Sequence, residues 1–168
     1  MHGWMHSSNK YHLGEILRSK RINVAIEVGS WLGLSASYIA INMSEGAKLY
    51  CVDTWNGSIE HYHNQEWLKL LPTLYEQFLS NIIHLNLVDK IYPVRLSSID
   101  ASKQLNIKAD LIYIDAAHDE ESVYNDIIAW SLRLAENGII CGDDYDKSDT
   151  MVNPEIQTSC SIVIYTSK

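Results

Sequence analysis

The 168-residue sequence holds only three cysteines, three prolines and eight glycines. Cys51, Cys141 and Cys160 lack C-x-x-C spacing, which argues against a zinc knuckle, and their odd number argues against a disulfide framework. They read as reduced core thiols of a cytoplasmic protein. Without a proline- or glycine-rich linker, a low-complexity tract or an internal repeat, nothing divides the chain, and residues 1–168 are expected to form a single domain. Basic residues are few: 13 Lys and Arg against 21 Asp and Glu give a formal charge of −8. No cationic cluster offers itself to phosphate, so nucleic acid is excluded as a partner and a cationic ligand suits better. No run approaches the roughly 20 apolar residues of a membrane span, and Met1 to His6 do not resemble a signal peptide. A soluble protein without a membrane partner is the expectation.

What is present is a pattern of strand endings. Hydrophobic residues make up 46% of the chain, enough for one sizeable core. The apolar run Ile22 to Val28 leads into Glu27-Val28-Gly29-Ser30-Trp31-Leu32-Gly33-Leu34-Ser35, after which a helical pattern begins at Leu34. Glycines at a strand-to-helix turn allow a tight backbone and let a ligand approach bare amides. The pyrophosphate fingerprint G-x-G-x-x-G is not met; the spacing is acid-x-G-x-x-x-G. An acid at Glu27 suits a cationic amine. A second apolar run, Leu49 to Val52, ends in Asp53 about 20 residues beyond the turn, where such folds place the carboxylate that accepts ribose hydroxyls.

Further along, the spacing predicts helices over 11–19 and 34–43, and helical turns around 66–71. Pro72 is expected to open a helix carrying Leu74, Phe78, Ile82 and Leu85 on one face. Strands are expected over 91–96, 111–114, 139–141 and 162–165, with a short helix over 97–105. A longer helix over 120–135 would bury Val123, Ile127, Trp130 and Leu134 and close at Asn137-Gly138. Strands alternating with helices imply a mostly parallel sheet covered on both faces. Ligands of such sheets sit beyond the carboxyl ends of the strands, where Asp115, Asp143 and Asp144 are expected to converge. Two like charges ~4 Å apart repel by roughly 4 kcal/mol at a protein-like dielectric. Such a cluster takes up protons or recruits a hard divalent ion, magnesium first.

The turn at Glu27, Gly29 and Gly33 resembles the first motif of class I S-adenosylmethionine-dependent methyltransferases, (Asp/Glu)-x-Gly-x-x-x-Gly. The resemblance implies an α/β, Rossmann-like doubly wound sheet and a cofactor site at Glu27, Gly29, Ser30, Trp31, Gly33, Ser35, Asp53, Thr54 and Trp55. Ser97, Ser98 and Asp115 would complete it, with a serine against the adenine amino group and Trp55 stacked on the base or closing the rim; packing in the core is the structural alternative for Trp55. Catechol and caffeoyl-CoA O-methyltransferases carry an Asp after the fourth strand and an Asp-Asn pair after the fifth. Asp115 with Asp143-Asp144 is similar, and the Asp-Asp variant resembles sugar and antibiotic O-methyltransferases. Ile114-Asp115-Ala116-Ala117-His118 resembles the Ile-Asp-Gly-x-His pattern of cephalosporin-hydroxylase-like proteins, with Ala116 replacing glycine.

By that resemblance Asp115, Asp143 and Asp144 would hold Mg2+ or another hard divalent cation. His118, three residues after Asp115, would be the general base; a histidine at a helix entry, bonded to backbone or to a neighbouring acid, is the structural alternative. His61, Tyr62 and His63 lie in a long connection at the pocket mouth and are placed for substrate contact. Residues 1–20 would supply a helix and a lid at Gly3-Trp4-Met5, and residues 22–145 the cofactor-binding core. Residues 146–168 are too few for the helix and two strands with which the family usually ends, so an abridged or truncated C-terminal edge is expected. The implied activity is methyl transfer from S-adenosylmethionine to a hydroxyl of a sugar-like or natural-product-like small molecule. A cofactor-binding relative without methyl transfer and, more weakly, a nicotinamide-dependent oxidoreductase are the alternatives. Assembly into a homo-oligomer is left open.

Overall fold

The computed structural model describes residues 5, 7–117, 119–143 and 165–166. Its elements, in chain order, are α1 (Ser7–Ser19), β1 (Val24–Val28), α2 (Leu34–Asn42), β2 (Lys48–Asp53), α3 (Ile59–Tyr62) and α4 (Gln65–Leu68). A 3-10 turn (Leu71–Thr73) then leads to α5 (Leu74–His84), β3 (Ile91–Arg95), α6 (Ser98–Gln104), β4 (Ala109–Ile114), α7 (Glu120–Ser131), β5 (Leu134–Gly142) and β6 (Tyr165–Thr166).

The sheet runs in the order β3-β2-β1-β4-β5-β6. Every pair from β3 to β5 is parallel, and β6 lies antiparallel on β5. This is the Rossmann-like fold expected. Alternation along the strands sorts side chains onto two faces. Ala25, Leu49, Cys51, Leu111 and Tyr113 face one buried cluster with Leu13 and Ile16 of α1, Ala36 and Ile39 of α2, and Phe78 and Ile82 of α5. Ile26, Val28, Val52, Ile112 and Ile140 face the other, with Ala101 of α6 and Trp130 of α7. The chain turns back between β1 and β4, so the crevice opens at the carboxyl ends of those strands.

Three local expectations are corrected. Pro72 lies in the 3-10 turn rather than opening α5, though Leu74, Phe78 and Ile82 do form its buried face. The helix expected to reach residue 135 ends at Ser131. Arg133 N–H bonds to the Trp130 carbonyl at 2.8 Å, and Leu134 already pairs with Ala109 in the sheet. Asn137-Gly138 therefore sits inside β5, where Asn137 takes φ 58° beside a register shift. The α7 stripe is also different. Ile127 is 41% exposed, and buried Asp126 shares the inner face with Trp130. The edge strand expected over 162–165 is seen at Tyr165–Thr166.

Cys51 and Cys141 are free and buried, while Cys160 lies outside the described residues. Among the described residues no helix is long and apolar enough to cross a membrane.

Candidate functional site

Gly29 fixes the floor of the crevice. Its φ is +89°, its N–H bonds to the Val52 carbonyl at 2.8 Å, and a Cβ at this position would lie 1.9 Å from the Asp115 carbonyl oxygen. Only glycine lets three strand ends converge so closely. Gly33, at φ +84°, turns the chain into α2, and a Cβ there would press on the Phe78 ring at 3.0 Å. Between them Trp31 holds a left-handed φ of 46°.

Asp53 locks this turn. One carboxylate oxygen accepts the Trp31 N–H at 2.8 Å and the other accepts the Trp55 N–H at 2.7 Å. A carboxylate has about four acceptor sites, so both oxygens retain capacity for a ligand's hydroxyls. Ribose recognition by Asp53 is thus compatible with its structural work.

Glu27 lies beneath the turn rather than on the cavity wall. It is fully buried, and among the described residues neither carboxyl oxygen has a hydrogen-bond partner of proper geometry. Its register partners are Cys51 on β2 and Tyr113 on β4, so it stands in a row of weakly polar side chains across the sheet. Burial pushes its carboxyl up to about 7, with the Asp115 charge adding to the rise. The nearby Ser30, Ser35 and Cys51 act the other way. A buried acid so placed favours a cationic ligand group close above it.

The cavity over this floor measures about 440 Å³, within the roughly 300–1,000 Å³ of small-ligand sites. It is lined by Gly29, Ser30, Trp31 and Ser35, by Asp53 and Thr54, by Ser97 and Ser98, and by Asp115. Those nine of the twelve expected cofactor residues are brought together. Gly33 shapes the turn, and Glu27 supports it from below. Trp55 does not line the cavity and is corrected to a core residue. It is 2% exposed, its indole N–H donates to the Trp31 carbonyl at 2.9 Å, and its ring packs on Tyr75 and Phe78. The aromatic wall is Trp31 instead, stacked on His61 at 4.0 Å between centroids, with Trp67 5.2 Å beyond His61.

His61 was reached by the sequence only as a pocket-mouth residue, and Gly57, Ser58 and Trp67 were not reached. The backbone N–H of Ser58 donates to His61 Nδ1 at 2.8 Å, which leaves the proton of a neutral ring on Nε2. Tyr62 is exposed and bonds the Asn56 carbonyl. His63 does not line the cavity.

Ser97 caps α6: its oxygen accepts the Asp100 N–H at 3.2 Å while its hydroxyl donates to the Asp100 carboxylate at 2.7 Å. Ser98 accepts the Trp130 indole N–H at 2.8 Å and donates to Asp126. Neither partner of Ser98 could be read from sequence spacing.

At the β4 and β5 ends, the Asp143 N–H bonds to the Ile114 carbonyl at 3.0 Å and the Asp115 N–H to the Val28 carbonyl at 2.8 Å. The Tyr113 phenol, 3.4 Å from the Asp115 carboxylate, is held well above its ordinary range by burial and then by the charges of Asp115, Asp143 and Glu27. Two of the three expected metal ligands thus stand at neighbouring strand ends. Asp144 and His118 lie outside the described residues, as do Gly3 and Trp4 of the expected lid, while Met5 packs against the core. Among the described residues no group of three potential ligands forms.

A glycine-floored crevice, an acid beneath it and a second acid at the next strand end define a nucleotide-cofactor domain. The chain belongs to the family described as Methyltransferase domain, whose model matches residues 26–145. No curated protein matches it in sequence. Solved structures share the fold. An O-methyltransferase from Bacillus cereus in complex with SAH is 19% identical, with a TM-score of 0.65 over 84% of this chain and 58% of that one. The O-methyltransferase TomG from Streptomyces achromogenes, involved in tomaymycin synthesis and in complex with SAM, is 10% identical. Its TM-score is 0.66 over 84% of this chain and 57% of that one. A SAM-dependent O-methyltransferase from Thermotoga maritima is 13% identical, with a TM-score of 0.64 over 88% and 48%. The chain spans about half to three-fifths of the length of these structures.

Proposed function

We propose that this chain transfers the methyl group of S-adenosylmethionine to a hydroxyl of a small molecule, sugar-like or natural-product-like. The observation that carries the reading is the turn from Gly29 to Gly33, latched to Asp53 through the Trp31 amide above a buried, unpartnered Glu27. It fits the cofactor's parts: the free acceptor capacity of Asp53 suits ribose hydroxyls, and the Glu27 carboxyl favours the cationic methionine end. The B. cereus and TomG complexes with SAH and SAM support the same assignment.

The cofactor supplies a methyl carbon already activated by sulfonium, so the protein's work is alignment and proton removal. Asp53 and the Gly29 turn hold the donor. Trp31 and His61 form a planar wall that orients an acceptor and excludes water. His118 takes the proton of the acceptor hydroxyl. Asp115, Asp143 and Asp144 would hold a hard divalent cation, magnesium, which would supply Lewis acidity to the acceptor hydroxyl. Acidic overall, the protein acts on a small molecule and not on nucleic acid, and works in the cytoplasm.

The test is incubation with methyl-labelled S-adenosylmethionine and a panel of catechol, sugar and polyketide hydroxyls, with and without magnesium. Label on an acceptor oxygen, reduced at least about 100-fold by His118→Ala, is expected. Cofactor binding without transfer to any acceptor would overturn the reading and leave a non-transferring relative.

A further inference from the structure

Outside the glycine turn, a second polar arrangement reaches the same cavity from behind. Ser98 lines it at the end of β3. Its hydroxyl is held on both sides: it accepts the indole N–H of Trp130 at 2.8 Å, and it donates to the carboxylate of Asp126. Trp130 is 0% and Asp126 5% exposed, both from α7, while Ser98 belongs to α6. The contact thus joins two helices on one face of the sheet.

A serine hydroxyl has one donor hydrogen and two acceptor lone pairs. Here the hydrogen is committed to Asp126 and one lone pair to Trp130. What remains is a single lone pair, so toward the cavity Ser98 can only accept. Sheet order fixes which part of a ligand it would meet. The glycine turn follows β1, Asp53 follows β2, and Ser98 follows β3, the next strand outward. A nucleoside whose ribose lies on Asp53 and whose remaining chain lies on the glycine turn directs its base toward β3.

We propose that Asp126 is a positioning residue that fixes Ser98 as an acceptor and thereby makes the site select a 6-amino purine over a 6-oxo purine. This rests on the cofactor reading above and deepens it. An amino group supplies the hydrogen that Ser98 lacks. A 6-oxo group sets its own acceptor against that of Ser98, and the hydroxyl cannot turn to donate, because Asp126 is an obligate acceptor when ionised and the Trp130 N–H an obligate donor. An unmatched polar pair of this kind costs binding more than the matched pair gains.

The test is calorimetric binding of S-adenosylhomocysteine and its deaminated counterpart, S-inosylhomocysteine, which needs no turnover. The wild-type chain should prefer the adenosyl compound by about tenfold or more. In Asp126→Asn the amide can present its NH2 to Ser98 and release the hydroxyl hydrogen toward the cavity. The preference should then fall to within about threefold while melting stays cooperative. Ser98→Ala, which removes the aligned hydroxyl, should collapse the ratio as well, and it keeps the proposal refutable if Asp126→Asn does not fold. Equal binding of the two compounds by the wild type, or an unchanged preference in either variant, would overturn this inference alone. Absence of binding by both compounds would remove the cofactor reading and the inference together.

Discussion

The two ends of the crevice are built differently. At β1 and β2 the polar groups are bound to one another: Gly29 to Val52, Trp31 and Trp55 to Asp53, the Trp55 indole to Trp31. At β4 and β5, Asp115 and Asp143 follow adjacent strands, and their charges meet on the phenol of Tyr113. The first end is a preformed mould whose shape is part of the fold. The second sets two carboxylates at neighbouring strand ends, outside that web of bonds. Changes at the first end should therefore be read in stability and changes at the second in ligand response.

The largest effect is expected from Gly29→Ala. With a Cβ 1.9 Å from the Asp115 carbonyl and φ at +89°, the β1 to β4 junction must part. A loss of roughly 4 kcal/mol or more, or failure to fold, should appear in urea unfolding. A loss below about 1 kcal/mol would show that the junction is not the rigid element described.

Glu27→Gln sharpens the comparison through pH. The carboxyl is raised from 4.5 to about 7 in the folded chain, so the folded state holds its proton more tightly than the unfolded state. This group is therefore destabilising as pH rises from the unfolded value through 7, and it has no effect below that window. Glu27→Gln should remove up to about 3 kcal/mol of destabilisation at pH 8 and little at pH 4. Parallel stability curves for the two proteins across this range would refute the assignment.

Asp53→Asn leaves one acceptor oxygen for two backbone N–H groups. About 1–3 kcal/mol of stability should be lost, together with about tenfold or more in affinity for S-adenosylhomocysteine. Trp55→Phe keeps an aromatic ring against Tyr75 and Phe78 but drops the bond to Trp31 and leaves a small cavity, for about 2 kcal/mol. Affinity for S-adenosylhomocysteine should move less than about threefold, as befits a core residue. Least of all, Asp143→Asn should change metal-free stability by about 0.5 kcal/mol or less while weakening any magnesium response. A large stability change there would make the two ends alike.

Legibility in the sequence followed the same division. The strand ends were readable because a period of two, glycines and terminal acids are local signals, and Gly29, Gly33 and Asp53 took their expected places. An aromatic after a strand carries no sign of whether it turns to the cavity or the core, and Trp55 takes the core, against Tyr75 and Phe78. Asn137-Gly138 has the composition of a helix stop, yet pairing of Leu134 with Ala109 starts the strand first. The bond between Ser98 and Asp126 spans 28 positions and two helices, so no spacing announces it. The same holds for the stack of His61 on Trp31, set by a connection whose path is tertiary.

Titration calorimetry of the folded chain with S-adenosylhomocysteine is the most direct test of the site. One saturable site per chain, weakened by Asp53→Asn and not by Trp55→Phe, is the predicted result. No heat of binding from cooperatively melting protein, or equal weakening by both substitutions, would contradict it.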